Sequence, residues 1–153
     1  MYKYILSITF LFTYLFAEYN VGDQIDEDDL KETFDYCYPG DSTSYTFSFS
    51  KNCGKIFMLE FSASWWPSCF PNLPVGGAIY QDWKDNSHVE ILHVLDDLNQ
   101  PYTCTQWGNA WGNTGLNGMP IIDDGIGYYF YDMFDVLGSY ALVAFINHEM
   151  KLI

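Results

Sequence analysis

The side chains able to do covalent chemistry are few: Cys37, Cys53, Cys69 and Cys104, with His88, His93 and His148 as the histidines. Cys69 has the most suggestive surroundings. The stretch from Lys55 to Pro74 opens with an apolar run, Ile56-Phe57-Met58-Leu59-Glu60-Phe61, long enough for one buried strand. It then turns at small residues, passes the aromatic pair Trp65-Trp66 and reaches Pro67 and Cys69 ahead of a segment of helical outline. A strand that stops at such a turn, with a helix start behind it, sets the turn at the carboxyl edge of a sheet, where α/β proteins place their chemistry. A cysteine at the amino end of a helix has its thiolate stabilised by unpaired backbone N–H groups and the helix dipole, which makes it a nucleophile. A lone cysteine is more commonly a small, buried apolar residue. The histidines show no close spacing with cysteines or carboxylates, so no metal site is expected, and His93 reads as a core or edge residue of a strand.

The segment resembles the active-site segment of the thioredoxin-like superfamily, above all the secreted redoxins and TlpA-type (AhpC/TSA-like) thiol-disulfide oxidoreductases. The family pattern is an apolar strand, then Phe-x-Ala-x-Trp-Cys-x-x-Cys, then a helix with a proline about one turn on. Phe61, Ala63, Trp65, Cys69 and Pro74 fall in register with it, and Trp66 stands where the family carries its first cysteine. The resemblance implies catalytic positions at Trp66 and Cys69 and a binding surface from Trp65, Pro67, Tyr140 and Ala141. With no thiol at Trp66, a two-cysteine exchange cycle cannot run through this turn; Cys69 alone can at most trap a partner in a mixed disulfide. Pro120, Asp123, Val136, Phe145 and Ile146 match the distal half of the redoxins, and the cis-proline that shapes the family's substrate groove falls on Ala141. A non-proline cis bond costs about 3 kcal/mol, so a trans bond is expected at Tyr140–Ala141, and with it an altered groove. Four cysteines allow three pairings. Cys37 with Cys53 would staple the lead-in to the central strand, while the family context suggests Cys69 with Cys104, the latter serving as a distant thiol partner.

The elements that must position these residues are legible in outline. The length, 153 residues, suits one domain, and the resemblance implies an α/β thioredoxin-like fold, a central mixed β-sheet flanked by helices. Residues 1–17 read as a secretory signal: Lys3, then the apolar run Ile5 to Phe16, then Ala17; the run is short for a spanning helix. That leaves 18–153 as an exported domain, secreted or periplasmic and off the membrane once cleaved. The acidic run Asp26 to Asp29 reads as a solvated loop or the first turn of a helix. Tyr45, Phe47 and Phe49 alternate with Thr46, Ser48 and Ser50 as in a half-buried strand. Pro71 suits a first helical turn, whereas Pro74 is expected to kink the helix that runs toward Asn86. Val89 to Leu95 is a second buried strand, parallel to the first through a right-handed crossover. Asp96 and Asp97 then open a polar loop or supply a site carboxylate. Cys104, Trp107 and Trp111 lie in a Gly/Asn-rich stretch, 100–117, whose aromatics either cover the core or line a groove. A helix is expected over Tyr128 to Leu137 and a strand over Leu142 to Asn147. The chain stops at Ile153, ahead of the helix with which such domains usually close. It is either a fragment or a domain with one sheet face thinly covered, which would invite self-association.

Six lysines, no arginine and twenty acidic residues give a net charge of −14, which repels phosphate backbones and excludes nucleic acid as a partner. Two functions remain, neither calling for a cofactor or metal. One is an exported thiol-disulfide or peroxide-reducing redoxin whose residue 66 is truly cysteine or selenocysteine, a UGA codon having been read as tryptophan. The other is a non-catalytic domain that binds extended polypeptide through Trp65, Trp66 and their aromatic neighbours.

Overall fold

In the computed structural model, residues 19–39, 45–95, 101–124, 129–134 and 140–153 are described. The predicted signal, Asp96–Asp97 and Val136 lie outside them. The elements in chain order are α1 (Glu27–Lys31), β1 (Phe34–Tyr38), β2 (Thr46–Phe47), β3 (Ile56–Ser62), α2 (Leu73–Trp83), β4 (Val89–Leu95), α3 (Cys104–Gly108), β5 (Ile121–Asp123), α4 (Tyr129–Phe134) and β6 (Leu142–Ile146). They build one mixed sheet in the order β2-β1-β5-β4-β3-β6. Strands β3, β4 and β5 are parallel, while β6 runs antiparallel to β3 and β1 antiparallel to both β2 and β5.

The alternation of β3 explains how one strand serves two cores. Phe57, Leu59 and Phe61 point into an aromatic core with Phe47, Phe49, Phe130 and Phe134, all essentially sealed from solvent. Burying each such ring stabilises the fold by about 2 kcal/mol, so this face contributes most of the hydrophobic driving force. On the other face Met58 joins Cys69, Leu73, Ile91, Leu95, Trp107 and Met119. Glu60 also points to this second face, and α2 crosses directly over it. A Cβ on Gly76 would sit 2.0 Å from the Glu60 Oε2 atom, so a larger residue there would have to push the buried Glu60 carboxylate aside. The next residue, Gly77, is held as tightly, its missing Cβ falling 1.9 Å from the carbonyl oxygen of Gly115.

Several local expectations change once the chain is folded. The strand expected around Phe47 is only the pair Thr46–Phe47, because the chain turns at once into a 3₁₀ turn over Ser50–Asn52. The Asn52 side-chain amide donates to the Ser48 carbonyl at 3.1 Å and secures that turn; Phe47 and Phe49 both still reach the core. Pro74 does not kink the helix. A 3₁₀ turn over Phe70–Asn72 takes up Pro71, and α2 proper begins at Leu73 with Pro74 in its first turn, where a missing N–H costs nothing. The acidic run opens α1, with Glu27, Asp28 and Asp29 in its first turn. Asp29 accepts hydrogen bonds from the hydroxyls of both Tyr19 and Tyr129, tying α1 to the lead-in and to α4. Outside the second core, Ile56, Ile79, Trp83, Val89 and Phe145 line an apolar groove of about 360 Å³ between α2 and the edge of the sheet.

Candidate functional site

β3 delivers the chain to the site at Ser62, and the backbone then winds rather than extends. The Trp66 N–H donates to the Ala63 carbonyl at 3.1 Å, the Cys69 N–H to the Trp66 carbonyl at 3.0 Å, and the Asn72 N–H to the Cys69 carbonyl at 3.1 Å. These successive turns place residues 63–69 at the carboxyl edge of the parallel strands and at the mouth of the helical segment. The winding also sorts the side chains. Ala63, Ser64 and Cys69 turn inward, whereas Trp65, Trp66 and Pro67 face solvent. Trp65 and Trp66 keep 45% and 39% of their surface exposed, while Cys69 keeps none, packed among the second core.

Across from the turn, the start of β6 brings up Tyr140. Its ring lies edge-on to Trp65 at 5.3 Å and 6.2 Å from Trp66, and Trp65 meets Trp66 edge-on at 5.3 Å. Tyr140 in turn stacks on Tyr131 of α4 at 4.9 Å, so the aromatic face is anchored to the helix behind it. Edge-to-face pairs of this kind are worth about 1 kcal/mol each beyond the area they bury. Ala141 is exposed beside them, and the Tyr140–Ala141 peptide bond is cis, not trans as its residue types suggest. The packing of Tyr140 among Trp65, Trp66 and Tyr131 overrides the local preference.

The cysteines pair differently from both expectations. Cys37 of β1 is bonded to Cys104 at the start of α3, with Cα atoms 6.0 Å apart. The reason is strand order: β1 lies beside β5, and α3 packs against β1, so Cys104 meets Cys37 within the normal span of a disulfide. Cys69 and Cys53 take no part in a disulfide; Cys53 is exposed, its thiol directed at the Phe49 carbonyl at 3.7 Å. The structure thus brings Trp65, Trp66, Pro67, Cys69, Tyr140 and Ala141 to one edge, and removes Cys104 from the set as a thiol. A capping box fixes α3: the Thr103 hydroxyl accepts the Gln106 N–H while the Gln106 side chain accepts the Thr103 N–H. The aromatics of this stretch divide, Trp107 lying in the core and Trp111 standing 52% exposed.

Below the site lies a polar line that the sequence reading did not assemble. Glu60 and His93 are direct neighbours in the β3–β4 register, both buried. The Trp107 indole N–H donates to His93 Nε2 at 2.9 Å, which puts the proton of the neutral imidazole on Nδ1. Nδ1 faces Glu60 Oε2 at 3.6 Å, just beyond hydrogen-bond reach. The signal was present in the sequence, since each residue interrupts an otherwise apolar strand; only the register shows that the interruptions coincide. Among the described residues no group of three or more His, Cys, Asp or Glu side chains is arranged to hold a metal ion, and no helix is long and apolar enough to cross a membrane.

The architecture, a mixed sheet with a strand-turn-helix at the carboxyl end of β3, a strand paired on both sides, is that of the thioredoxin-like fold. Solved structures agree. A candidate protein disulfide isomerase from Bacteroides thetaiotaomicron superposes with a TM-score of 0.67 at 19% identity, over 88% of this chain and 77% of that one. Xylella fastidiosa PrxQ gives 0.63 at 14% identity, over 89% and 84%. A secreted Mycobacterium tuberculosis disulfide oxidoreductase homologous to E. coli DsbE gives 0.60 at 16% identity, over 84% of each chain. Identities this low speak to the fold alone. No protein-family model matches the sequence, nor does any curated protein.

Proposed function

We propose that this chain is an exported, non-catalytic thioredoxin-like domain that binds extended polypeptide at the carboxyl edge of its sheet. The observation that carries the reading is the division of labour within one turn. By the sequence resemblance Trp66 takes the position of the family nucleophile; Cys69 is wholly buried, and the surface beside them is given over to Trp65, Trp66 and Tyr140. Such rings offer large contact area at small conformational cost, the property that concentrates tryptophan and tyrosine at binding hot spots. Export is supported by the apolar leader at Ile5 to Phe16 and is in keeping with the secreted M. tuberculosis relative in fold.

Two measurements on the wild-type chain and a Trp66→Ala variant test this. The wild type is expected to leave insulin disulfides unreduced in the presence of dithiothreitol above the background rate, and to bind a reduced, carboxymethylated unfolded protein that the variant binds at least about tenfold more weakly, a hot-spot-sized loss. Disulfide turnover by the wild type would overturn the reading.

The redox reading keeps one specific support: residue 66 sits three positions ahead of Cys69 in a turn that opens a helix, the spacing of a two-cysteine site. A UGA codon at position 66 of the transcript would favour it and a UGG codon the binding domain. A Trp66→Cys variant that reduced insulin would show that the rest of the site is still competent.

A further inference from the structure

We propose that the Trp65–Trp66–Tyr140 face selects a cationic segment, one bearing lysine or arginine, within the extended polypeptide; the proposal rests on the polypeptide-binding reading and names its ligand class. The rings supply the first reason. Trp65 and Trp66 are half exposed, and the planes are inclined at 81° between Trp65 and Trp66, 79° between Trp65 and Tyr140 and 42° between Trp66 and Tyr140, so no two of the rings form a flat stack. Rings set this way offer no broad flat platform for a planar ligand, whereas the exposed π-surface of an indole attracts a cation within about 6 Å of its centre.

The distribution of charge supplies the second. The chain has no arginine, and no lysine occurs from Ile56 to Trp83 or from Asp85 to Met150, the stretches that hold the turn, α4 and the start of β6. Lys55, Lys84 and Lys151 sit at the other end of the sheet, beside the starts of β3 and β4 and the end of β6, where they pair with Glu90, Asp85 and Glu149. Lys31, on α1, pairs with Glu27, and Lys51 donates to the Thr46 hydroxyl. The lysines of the described residues are thus engaged with other partners, away from the turn. On the site side, Asp123 closes β5 and Asp132 follows Tyr131, the residue on which Tyr140 stacks. Their negative potential, added to a net charge of −14, attracts a basic segment and repels an acidic one.

The experiment uses three unstructured peptides of equal length and common alanine-serine background, carrying lysine, glutamine or glutamate at the same positions. Titrations are followed by tryptophan fluorescence and calorimetry with the wild type and with Trp65→Ala and Trp66→Ala variants checked for folding by circular dichroism. Both positions are half exposed, so the fold tolerates them. The lysine peptide is expected to bind about tenfold more tightly than the glutamine peptide. The preference is expected to shrink as salt rises from about 20 mM to about 300 mM and to fall sharply in either variant. Equal binding of the lysine and glutamine peptides would overturn the charge selection and leave the polypeptide-binding reading standing. Absence of binding by all three would overturn both. A lysine preference untouched by loss of Trp65 or Trp66 would assign it to the acidic surface at large and overturn the role of the rings.

Discussion

Asp124 follows β5 and accepts two backbone N–H groups of the first turn of α4, from Phe130 at 2.6 Å and Tyr131 at 2.7 Å. Without it those groups would be buried unpaired. Burial pushes its carboxyl up to about 6; the two hydrogen bonds pull the other way, and repulsion from Asp132 and Asp123 adds to the rise. A carboxylate whose folded pKa lies above its unfolded one binds its proton in the native state first. Its contribution to stability is therefore fully present below about pH 4 and is lost as pH rises through about 6, a swing of about 3 kcal/mol. Replacing Asp124 by asparagine removes the titration and keeps one acceptor. Urea midpoints for wild type and Asp124→Asn across about pH 4 to 7 are expected to converge or cross, the wild type losing about 3 kcal/mol relative to the variant over that window. Parallel curves would mean that Asp124 is ionised throughout. The same carboxylate bears on the site, because the turn it caps carries Tyr131 and, through it, Tyr140.

At the scale of elements, the joint between α3 and β1 decides how well the second core is held. The Cys37–Cys104 bond closes a loop of sequence separation 67, which in the chain-entropy account stabilises the fold by about 4 kcal/mol. A Cys37→Ser, Cys104→Ser double variant is expected to lose most of that in denaturant unfolding. Thiol titration of denatured wild type is expected to find only Cys53 and Cys69 before reduction. Reactivity of Cys104 in that assay would contradict the pairing. How far each element could be read beforehand follows from how local its causes are. The β3-α2-β4 unit was legible because apolar runs and a turn of small and aromatic residues act within a few positions, and that was enough to place Trp65, Trp66 and Cys69 at the sheet edge. The disulfide was not, because it depends on β1 lying next to β5, a long-range pairing that no spacing of cysteines encodes. The cis bond at Ala141 was missed for the same reason: its cause is the packing of Tyr140 against rings far off in sequence. The Glu60–His93–Trp107 line needed the strand register, and β2 fell short because the side chain of Asn52 reaches back to end it.

For the molecule as a whole, the excess of carboxylates sets up a contest between attraction and repulsion that magnitudes can decide. The lysine pairs, Lys31–Glu27, Lys84–Asp85 and Lys151–Glu149, span 3.0 to 3.4 Å between exposed or half-exposed side chains. Pairs of that kind contribute about 0.5 kcal/mol each at most, and Lys55–Glu90, at 2.7 Å and partly buried, somewhat more. Against them stands a net charge of −14, whose like charges repel one another over long range at low salt. At about 10 mM ionic strength the screening length is about 30 Å, the size of the domain itself, and at about 150 mM it is about 8 Å. Adding salt weakens both sets of interactions, but the repulsions are more numerous and longer in range, so they lose more. The thermal midpoint at neutral pH is therefore expected to rise by a few degrees between those two ionic strengths and then level off. Sodium and potassium chloride should act alike, since screening does not depend on which monovalent cation supplies it. A midpoint that stays flat or falls would mean that the lysine pairs outweigh the net charge, and it would equally weaken the case that the acidic field of this chain gathers a basic partner.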